Sequence, residues 1–432
     1  RRSLPCDAGF FEYRNPTGTS GRTRTLITPY SLAKRHQHKG KDLRREVSGL
    51  LPESRRPVQQ DKMALFTDTL DEINGVAITI KRLINTARDR GVELTVITSD
   101  NEPDKSVPGV VRFKSVGDFR LPEYPELKLD FPPVLDILDF VESEGFTRIH
   151  VSTPGTVGLL GLMIARVMDI PVAGTYHTDI PQYVRSLTDD EFLEQAAWNY
   201  MIWFYNQMEE VLVPSSGTRE QLLSRGVPAE RMKPLPRWVD TESFTPAKRN
   251  PLFWQNRGLT ATCTVLYVGR VSIEKSLDLL TEAFMELVDE GENISLAIIG
   301  DGPFRTEMES SLKGYPARFT GFLSGEELCE GYASADLFVF PSATDTFGNV
   351  VLEAQASGLP VIVSDEGGPK ELIAEGNTGL IFRAGDKQGL KKAIRSIISD
   401  RQSFSVMAQS ARCFTINSAP DSSLNYSTIL MT

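Results

Sequence analysis

From Lys62 onward the chain alternates short runs of β-branched and aliphatic residues with longer amphipathic stretches. The runs are MALFT, ELTVIT, RIHVS, PVAGTY and EVLVP and, after residue 260, TVLYVG, LAIIG, ARFTG, DLFVF and PVIVS. Uninterrupted apolar runs of this length predict strands buried on both faces, and the stretches between them predict helices lying over those faces. The expected fold class is α/β, with a doubly wound parallel sheet in each half of the chain. The segment PLPRWVDTESFTPAKRNPLFWQNRGLT, residues 234–260, is rich in Pro and polar residues and breaks the alternation, which marks it as the connection. The boundaries so drawn are a first domain over 61–239, a second over 240–400 and a tail over 401–432. A helix is expected in that tail before it turns Ser-rich past MAQSARCF. The most apolar stretch, TVGLLGLMIARVMDI, is read as a buried helix, because Arg166 and Asp169 interrupt it at about half the length of a membrane span.

The 432 residues exceed what one hydrophobic core ordinarily serves and suit two domains with a cleft between them. With 40% hydrophobic and 24% charged residues, the composition excludes fibrous and disordered classes. Cys6, Cys263, Cys329 and Cys413 are far apart and form no Cys-x-x-Cys pair, so neither a disulfide framework nor a zinc site is indicated and a reducing compartment is expected. Charge is uneven: residues 1–60 hold 13 Lys or Arg against 5 Asp or Glu, net +8, which leaves −18 for the remaining residues given the total of −10. This basic N-terminal segment stays unassigned. It suits a solvated linker or the end of a further upstream domain, and also a patch for anionic lipid. No DNA- or RNA-binding signature accompanies it, so nucleic acid is not expected as a partner. The chain begins with Arg and shows no leader, and the completeness of both ends is left open.

Open parallel sheets bind ligands at the carboxyl ends of their strands, so the loops after the strands hold the informative residues. Neither half shows a Gly-x-Gly-x-x-Gly turn after its first strand, nor a P-loop, which argues against nicotinamide and P-loop chemistry. GDGP at 300–303 reads as a strand-end turn. In YVGRVSIEKSLDLL, Arg270 and Lys275 fall in the loop and first turn between a strand and a helix, where cations and backbone amides can converge on a diphosphate. Ordinary surface charges on an exposed loop are the alternative. In TDTFGNVVLEA, Asp345 lies in a loop and Glu353, eight residues on, lies within the following helix. Gly348 permits close approach near the helix start, and the amides of Phe347, Gly348, Asn349 and Val350 are candidates to face phosphate. Two acids flanking an anion site suit the polar ends of a nucleotide sugar; a capping Asp345 and a Glu353 paired with a neighbour remain the plain alternative. Four dispersed histidines and no Asp-x-Asp pair offer no ligand set for a divalent ion, so no metal is expected.

The blocks GRVSIEK, IIGDGP, FTGFLSGEEL and ADLFVFPSATDTFGNVVLEAQASGLPVIVSDEGGPKELI together resemble the C-terminal domain of the family 4 retaining glycosyltransferases of the GT-B fold. LFTDTLDEINGVAITI and VSTPGTVGLLGLMIARVMDIPVAGTYHTDI resemble their acceptor domain, in the branch that contains bacterial GDP-mannose-dependent mannosyltransferases and sulfoquinovosyldiacylglycerol synthase. The resemblance spans about residues 62–400. It implies two Rossmann-like domains facing across a cleft, and transfer of a hexosyl group with retention by front-face attack. The family's Glu-x7-Glu motif falls on Asp345, expected at the hydroxyls of the transferred sugar, and on Glu353, expected at the nucleotide ribose. Asp stands where the family has Glu at the first position. Arg270 and Lys275 match the pair implied to hold the diphosphate, His177 in TYHTD matches a histidine beside the donor sugar, and Gly75 in INGVA matches a glycine loop near the phosphates. Without that resemblance His177 reads equally as a structural polar group after a buried strand. Trp238 occupies a linker position where Gly is common.

The resemblance implies no cofactor beyond the donor, a nucleoside-diphosphate sugar. GDP-mannose is slightly favoured over UDP-sugars. The nucleobase is expected among the loops around Gly302 and Phe322. The acceptor is expected to be a hydroxyl of a lipid or glycan, with a cytoplasmic location and a peripheral place at the inner membrane face as an open possibility. Two other readings compete: a nucleotide-sugar epimerase or phosphorylase of the same fold, and a binding protein whose transfer activity has lapsed.

Overall fold

A computed structural model describes residues 61–71, 75–101, 107–121, 124–235 and 239–418, which lie in one compact unit. The first part forms β1 (Lys62–Phe66), α1 (Gly75–Asp89), β2 (Glu93–Asp100), β3 (Val110–Lys114), β4 (Gly117–Leu121), β5 (Tyr124–Phe131), α2 (Val134–Glu144), β6 (Arg148–Val151), α3 (Thr156–Met168), β7 (Val172–Thr175), α4 (Ile180–Thr188), α5 (Glu191–Asn206), β8 (Glu210–Val213), α6 (Ser216–Ser224) and β9 (Met232–Pro234). The second part forms β10 (Cys263–Val268), α7 (Leu277–Asp289), β11 (Ile294–Ile299), α8 (Arg305–Ser311), β12 (Ala317–Gly321), α9 (Gly325–Ala333), β13 (Leu337–Phe340), α10 (Asn349–Ala356), β14 (Val361–Ser364), β15 (Gly379–Phe382), α11 (Lys387–Ser399) and α12 (Arg401–Ser418).

Two parallel sheets result, in the orders β3-β2-β1-β6-β7-β8-β9 and β12-β11-β10-β13-β14-β15. Each sheet is wound outward in both directions from its first strand, so each has a switch point, between β1 and β6 and between β10 and β13. Connections diverge there to opposite faces and leave a crevice at the strand ends. In the second sheet Val265 pairs with Leu337 and Leu266 with Phe338, which sets the ends of β10 and β13 beside each other. The loops of Arg270 and Asp345 leave from those ends.

The central strands are as apolar as their patterns require: every residue of β11, β13 and β14 is buried. One core fills the second domain around Tyr267, Phe284, Phe338 and Val351, and two cores cover opposite faces of the first sheet. All ten strands read from the sequence are present. The strands not anticipated are β3, the antiparallel β4–β5 pair, β9 and β15. They lie at sheet edges or in the separate hairpin, and the edge strands β3, β9 and β15 are less buried than the central ones. The helix expected to be buried, α3, is buried on one side only: Leu159, Met163 and Val167, at fourfold spacing, are exposed. Its inward face, including Leu160 and Ile164, packs on the sheet.

The helix expected in the tail is α12, which packs against α10 and α11. Arg412 of this helix donates to the carbonyls of Phe244 at 2.6 Å, Thr241 at 2.8 Å and Ala356. It joins the connecting segment to the carboxyl end of α10, where a cation also meets the helix dipole favourably. Residues 1–60, Trp238 and residues beyond 418 lie outside the described residues. No helix among the described residues is long and apolar enough to cross a membrane.

Candidate active site

At the switch point of the second sheet, β10 runs into Arg270 and then a 3-10 turn, Ile273–Lys275. The Tyr267 hydroxyl donates to the Arg270 carbonyl at 2.8 Å, and its ring stacks on Phe340 of β13 at 5.9 Å between centroids. The Arg270 loop is thus held by the core beneath it. From the neighbouring loop, Asp345 Oδ2 accepts from Lys275 Nζ at 2.9 Å, with the two side chains 25% and 13% exposed. The sequence placed these residues in separate loops; the fold makes them partners.

Gly348 precedes α10 with φ +87°, a conformation that L side chains rarely adopt, and a Cβ there would stand 3.0 Å from Pro369 Cγ. The turn brings the chain into α10 so that Asn349 and Val350 form its first turn. Phe347, just before, packs against both the core of the second domain and one core of the first. The GDGP stretch is more than a strand-end turn. At Gly302 a Cβ would fall 2.3 Å from the Val271 carbonyl oxygen, so the loops after β10 and β11 touch backbone to backbone. Gly300 N donates to Gly321 O at 2.8 Å, which brings Phe322, 52% exposed, to the same corner as Gly302.

Glu353 lies one turn into α10 and is 6% exposed. One carboxylate oxygen accepts from the Arg82 guanidinium of α1 at 3.1 Å, and the other accepts from the Tyr332 hydroxyl of α9 at 3.1 Å. Burial raises its pKa, opposed by Arg82 and by the Tyr332 hydrogen bond. Glu353 is therefore enclosed and paired, which is the plain alternative that spacing left open. Its ionic partner lies not on the same helix but in the other domain.

The remaining predicted residues line the facing side. The His177 carbonyl accepts from Thr346 Oγ1 at 2.6 Å, which fastens the loop after β7 to the loop that carries Asp345. His177 as a residue is half-buried, and desolvation, with His150 second, lowers its pKa to about 3. It is a neutral imidazole at pH 7. Gly75 opens α1, and a Cβ built on it would stand 3.6 Å from Asn349 Nδ2. The Tyr183 hydroxyl of α4 donates to Glu274 at 2.7 Å, and Ser272 Oγ donates to the same oxygen at 2.6 Å. Burial works to raise the Glu274 pKa, but these hydrogen bonds and Lys275 bring it below the usual value. Glu371 accepts from Ser216 N at 3.0 Å, Ser216 Oγ at 2.7 Å and Gly217 N at 3.1 Å, so an acid of the second domain serves the first turn of α6.

The structure thus gathers Gly75, His177, Lys275, Asp345, Phe347 and Asn349 along one seam, with Arg270 at the strand end and Gly302 and Phe322 at the adjoining corner. Arg82, Tyr183, Glu274, Tyr332 and Glu371 were not anticipated. Only Arg82 left a sequence signal: it follows Gly75 by seven residues and so lies two turns along the same face of α1. Within the first domain, Asp68 accepts from Thr153 Oγ1 at 2.7 Å and from the amides of Gly155 at 3.1 Å and Val157 at 2.7 Å, which caps α3 internally. No group of three or more His, Cys, Asp or Glu side chains suited to a metal ion occurs among the described residues.

The chain matches Glycosyltransferase Family 4 over residues 73–243 and Glycosyl transferases group 1 over residues 253–413. It is 31% identical over 359 residues to the sulfoquinovosyl transferase SQD2 of Arabidopsis thaliana, covering 81% of this chain and 69% of that one. It is 32% identical over 345 residues to a GDP-mannose-dependent alpha-mannosyltransferase of Mycobacterium tuberculosis, covering 79% of this chain and 88% of the relative. Among solved structures, HepE of Anabaena in complex with UDP superposes with a TM-score of 0.68 at 19% identity, covering 86% of this chain and 99% of that one. At that identity the likeness concerns the fold, two Rossmann-like domains of GT-B type. The arrangement of the two sheets and the sequence relatives lead to one conclusion: the chain belongs to the family 4 glycosyltransferases and is a glycosyltransferase of the GT-B fold.

Proposed function

We propose that the chain transfers a hexosyl group, mannosyl by preference, from a nucleoside-diphosphate sugar to a hydroxyl acceptor with retention of configuration. The observation that carries this reading is the junction of Lys275, Asp345 and the start of α10 at the switch point of the second sheet. The donor diphosphate would replace Asp345 as the partner of Lys275, with Arg270 and the amides of 347–350 as further donors. A departing nucleoside diphosphate gains negative charge, and preorganised cations and amides stabilise that charge without rearrangement. Asp345, released from Lys275, is then free to accept from hydroxyls of the sugar. His177, neutral and with its carbonyl bonded to Thr346, would serve there as a hydrogen-bonding group rather than a cation. With the cations in this role the transfer needs no metal ion. Residues 61–239 are proposed as the acceptor side and 240–400 as the donor side.

For the acceptor, we favour the hydroxyl of a lipid presented at a cytoplasmic membrane face. Relatives named for lipid acceptors support the choice; one is the alpha-monoglucosyldiacylglycerol synthase of Streptococcus pneumoniae, 26% identical over 337 residues. So does the exposed apolar face of α3, which starts beside the loop after β1. GDP-mannose and UDP-glucose are to be incubated with the full chain and EDTA, with vesicles containing diacylglycerol or with a soluble glycan. Glycolipid whose anomeric configuration by NMR matches that of the donor supports the reading. An inverted product overturns retention, transfer to the glycan alone overturns the lipid acceptor, and loss of activity in EDTA overturns metal independence.

A further inference from the structure

The helices α1 and α10 face each other across the domain seam with matched spacings. Gly75 stands beside Asn349, and Arg82, seven residues on, reaches Glu353, four residues beyond Asn349. A seven-residue step on one helix and a four-residue step on the other keep both pairs on the facing surfaces. At the far pair, the Glu353 side chain is 8% exposed while the Arg82 side chain retains 21% exposure, so the guanidinium is the outer member of the pair. Tyr332, fully buried, supplies the inner hydrogen bond. A carboxylate this enclosed keeps its charge only with a charged or hydrogen-bonding partner on each side.

We propose that Arg82 is a positioning residue for the donor nucleoside: from the acceptor-side domain it holds Glu353 ionised and oriented, so that ribose recognition depends on the approach of the two domains. The proposal rests on the donor-site reading above. Glu353 can act as a ribose acceptor only if its carboxylate is charged and turned toward the cleft. Tyr332 fixes one oxygen from within the second domain, and Arg82 fixes the other from across the seam. The burial that raises the Glu353 pKa is opposed first by Arg82, so removing Arg82 moves the carboxyl toward its protonated form. Among the described residues, the other ionisable groups facing this point are Tyr332 and Cys329 of α9, and Asp240 of the connecting segment, which senses Arg82. None of these three supplies a positive charge that could replace Arg82.

The test is calorimetric titration of the full chain and its Arg82→Ala and Arg82→Lys variants with GDP, UDP and inorganic pyrophosphate at pH 6 to 9. Pyrophosphate lacks the ribose and reports the diphosphate site and the folding of each variant. Arg82→Ala is expected to weaken binding of the preferred nucleoside diphosphate about tenfold or more at pH 7, with pyrophosphate affinity unchanged and part of the loss recovered as pH rises. Arg82→Lys is expected to restore most of the affinity. Equal weakening of nucleotide and pyrophosphate, or nucleotide binding in Arg82→Ala equal to wild type, overturns the assignment. If wild type itself binds no nucleoside diphosphate, the donor-site reading fails first, and this inference falls with it.

Discussion

Lys275 and Asp345 neutralise each other across 2.9 Å at the end of β10, and the same two side chains are the ones that the family resemblance implies for a diphosphate and a sugar. The account makes them separable. Lys275→Ala removes a cation from the developing charge of the leaving group, and transfer should fall on the order of a hundredfold, with nucleotide affinity also reduced. Asp345→Asn should leave nucleotide affinity near wild type and lower turnover instead; steady-state kinetics beside titrations distinguish the two patterns. His150 carries a different prediction. Its buried ring bonds Thr175 Oγ1 through Nε2 at 2.9 Å, and desolvation lowers its pKa from 6.5 to about 4. Below pH 6.5 the unfolded chain takes up a proton that the folded chain refuses. The stability associated with this group is therefore complete above that pH and lost as pH falls toward 4, by on the order of 3 kcal/mol in total. Urea unfolding at pH 7.5 and 5 should show the loss, and His150→Gln should reduce the difference, leaving the part that His177, lowered to about 3, contributes in the same direction.

At the level of elements, α10 depends on the turn that launches it. Gly348→Val would force a β-branched side chain into φ +87° and against Pro369, which should displace the helix start, cost about 1–3 kcal/mol and weaken nucleotide binding. Arg412→Ala is expected to leave three carbonyls of the connecting segment and α10 without their charged donor. A decrease in unfolding free energy of about 1–3 kcal/mol is predicted by denaturant titration. These elements also show what was legible. The buried parallel strands could be read directly, because a strand covered on both faces must be apolar along its length. Edge strands such as β3 and β15 could not, since partial burial leaves a short pattern that resembles a loop. The exposed stripe of α3 could not be read for a related reason: an apolar run does not say which of its residues meet the core. The placement of Asp345, Glu353, Arg270 and Lys275 in loops and a helix start was legible because loop, glycine and helix stand in a fixed local order; spacing alone left their roles open, and the resemblance supplied them. Arg82 and Tyr332 were not legible, since their meeting with Glu353 is made by the tertiary fold.

Across the whole molecule, the described structure is a closed one. Arg82 to Glu353, Tyr183 to Glu274, Thr346 to the His177 carbonyl and Glu371 to the start of α6 all join the two domains. Four polar connections along a cleft can be exchanged for ligand contacts at modest cost, in contrast to a sealed apolar interface, and closure excludes water from a reactive donor. Glu371→Ala leaves the first turn of α6 without its acceptor while sparing all three cores. Small-angle scattering of the ligand-free variant should show a larger radius of gyration than wild type, with a preserved melting transition. The claim on which the rest depends is that the second domain holds a nucleoside-diphosphate donor through Lys275. Calorimetric titration of the full chain and Lys275→Ala with GDP, UDP and their sugar conjugates in EDTA tests it most directly. The account predicts selective binding of one nucleotide by the wild type and clearly weaker binding by the variant. Absence of binding to every nucleotide, or equal binding by both proteins, would contradict it.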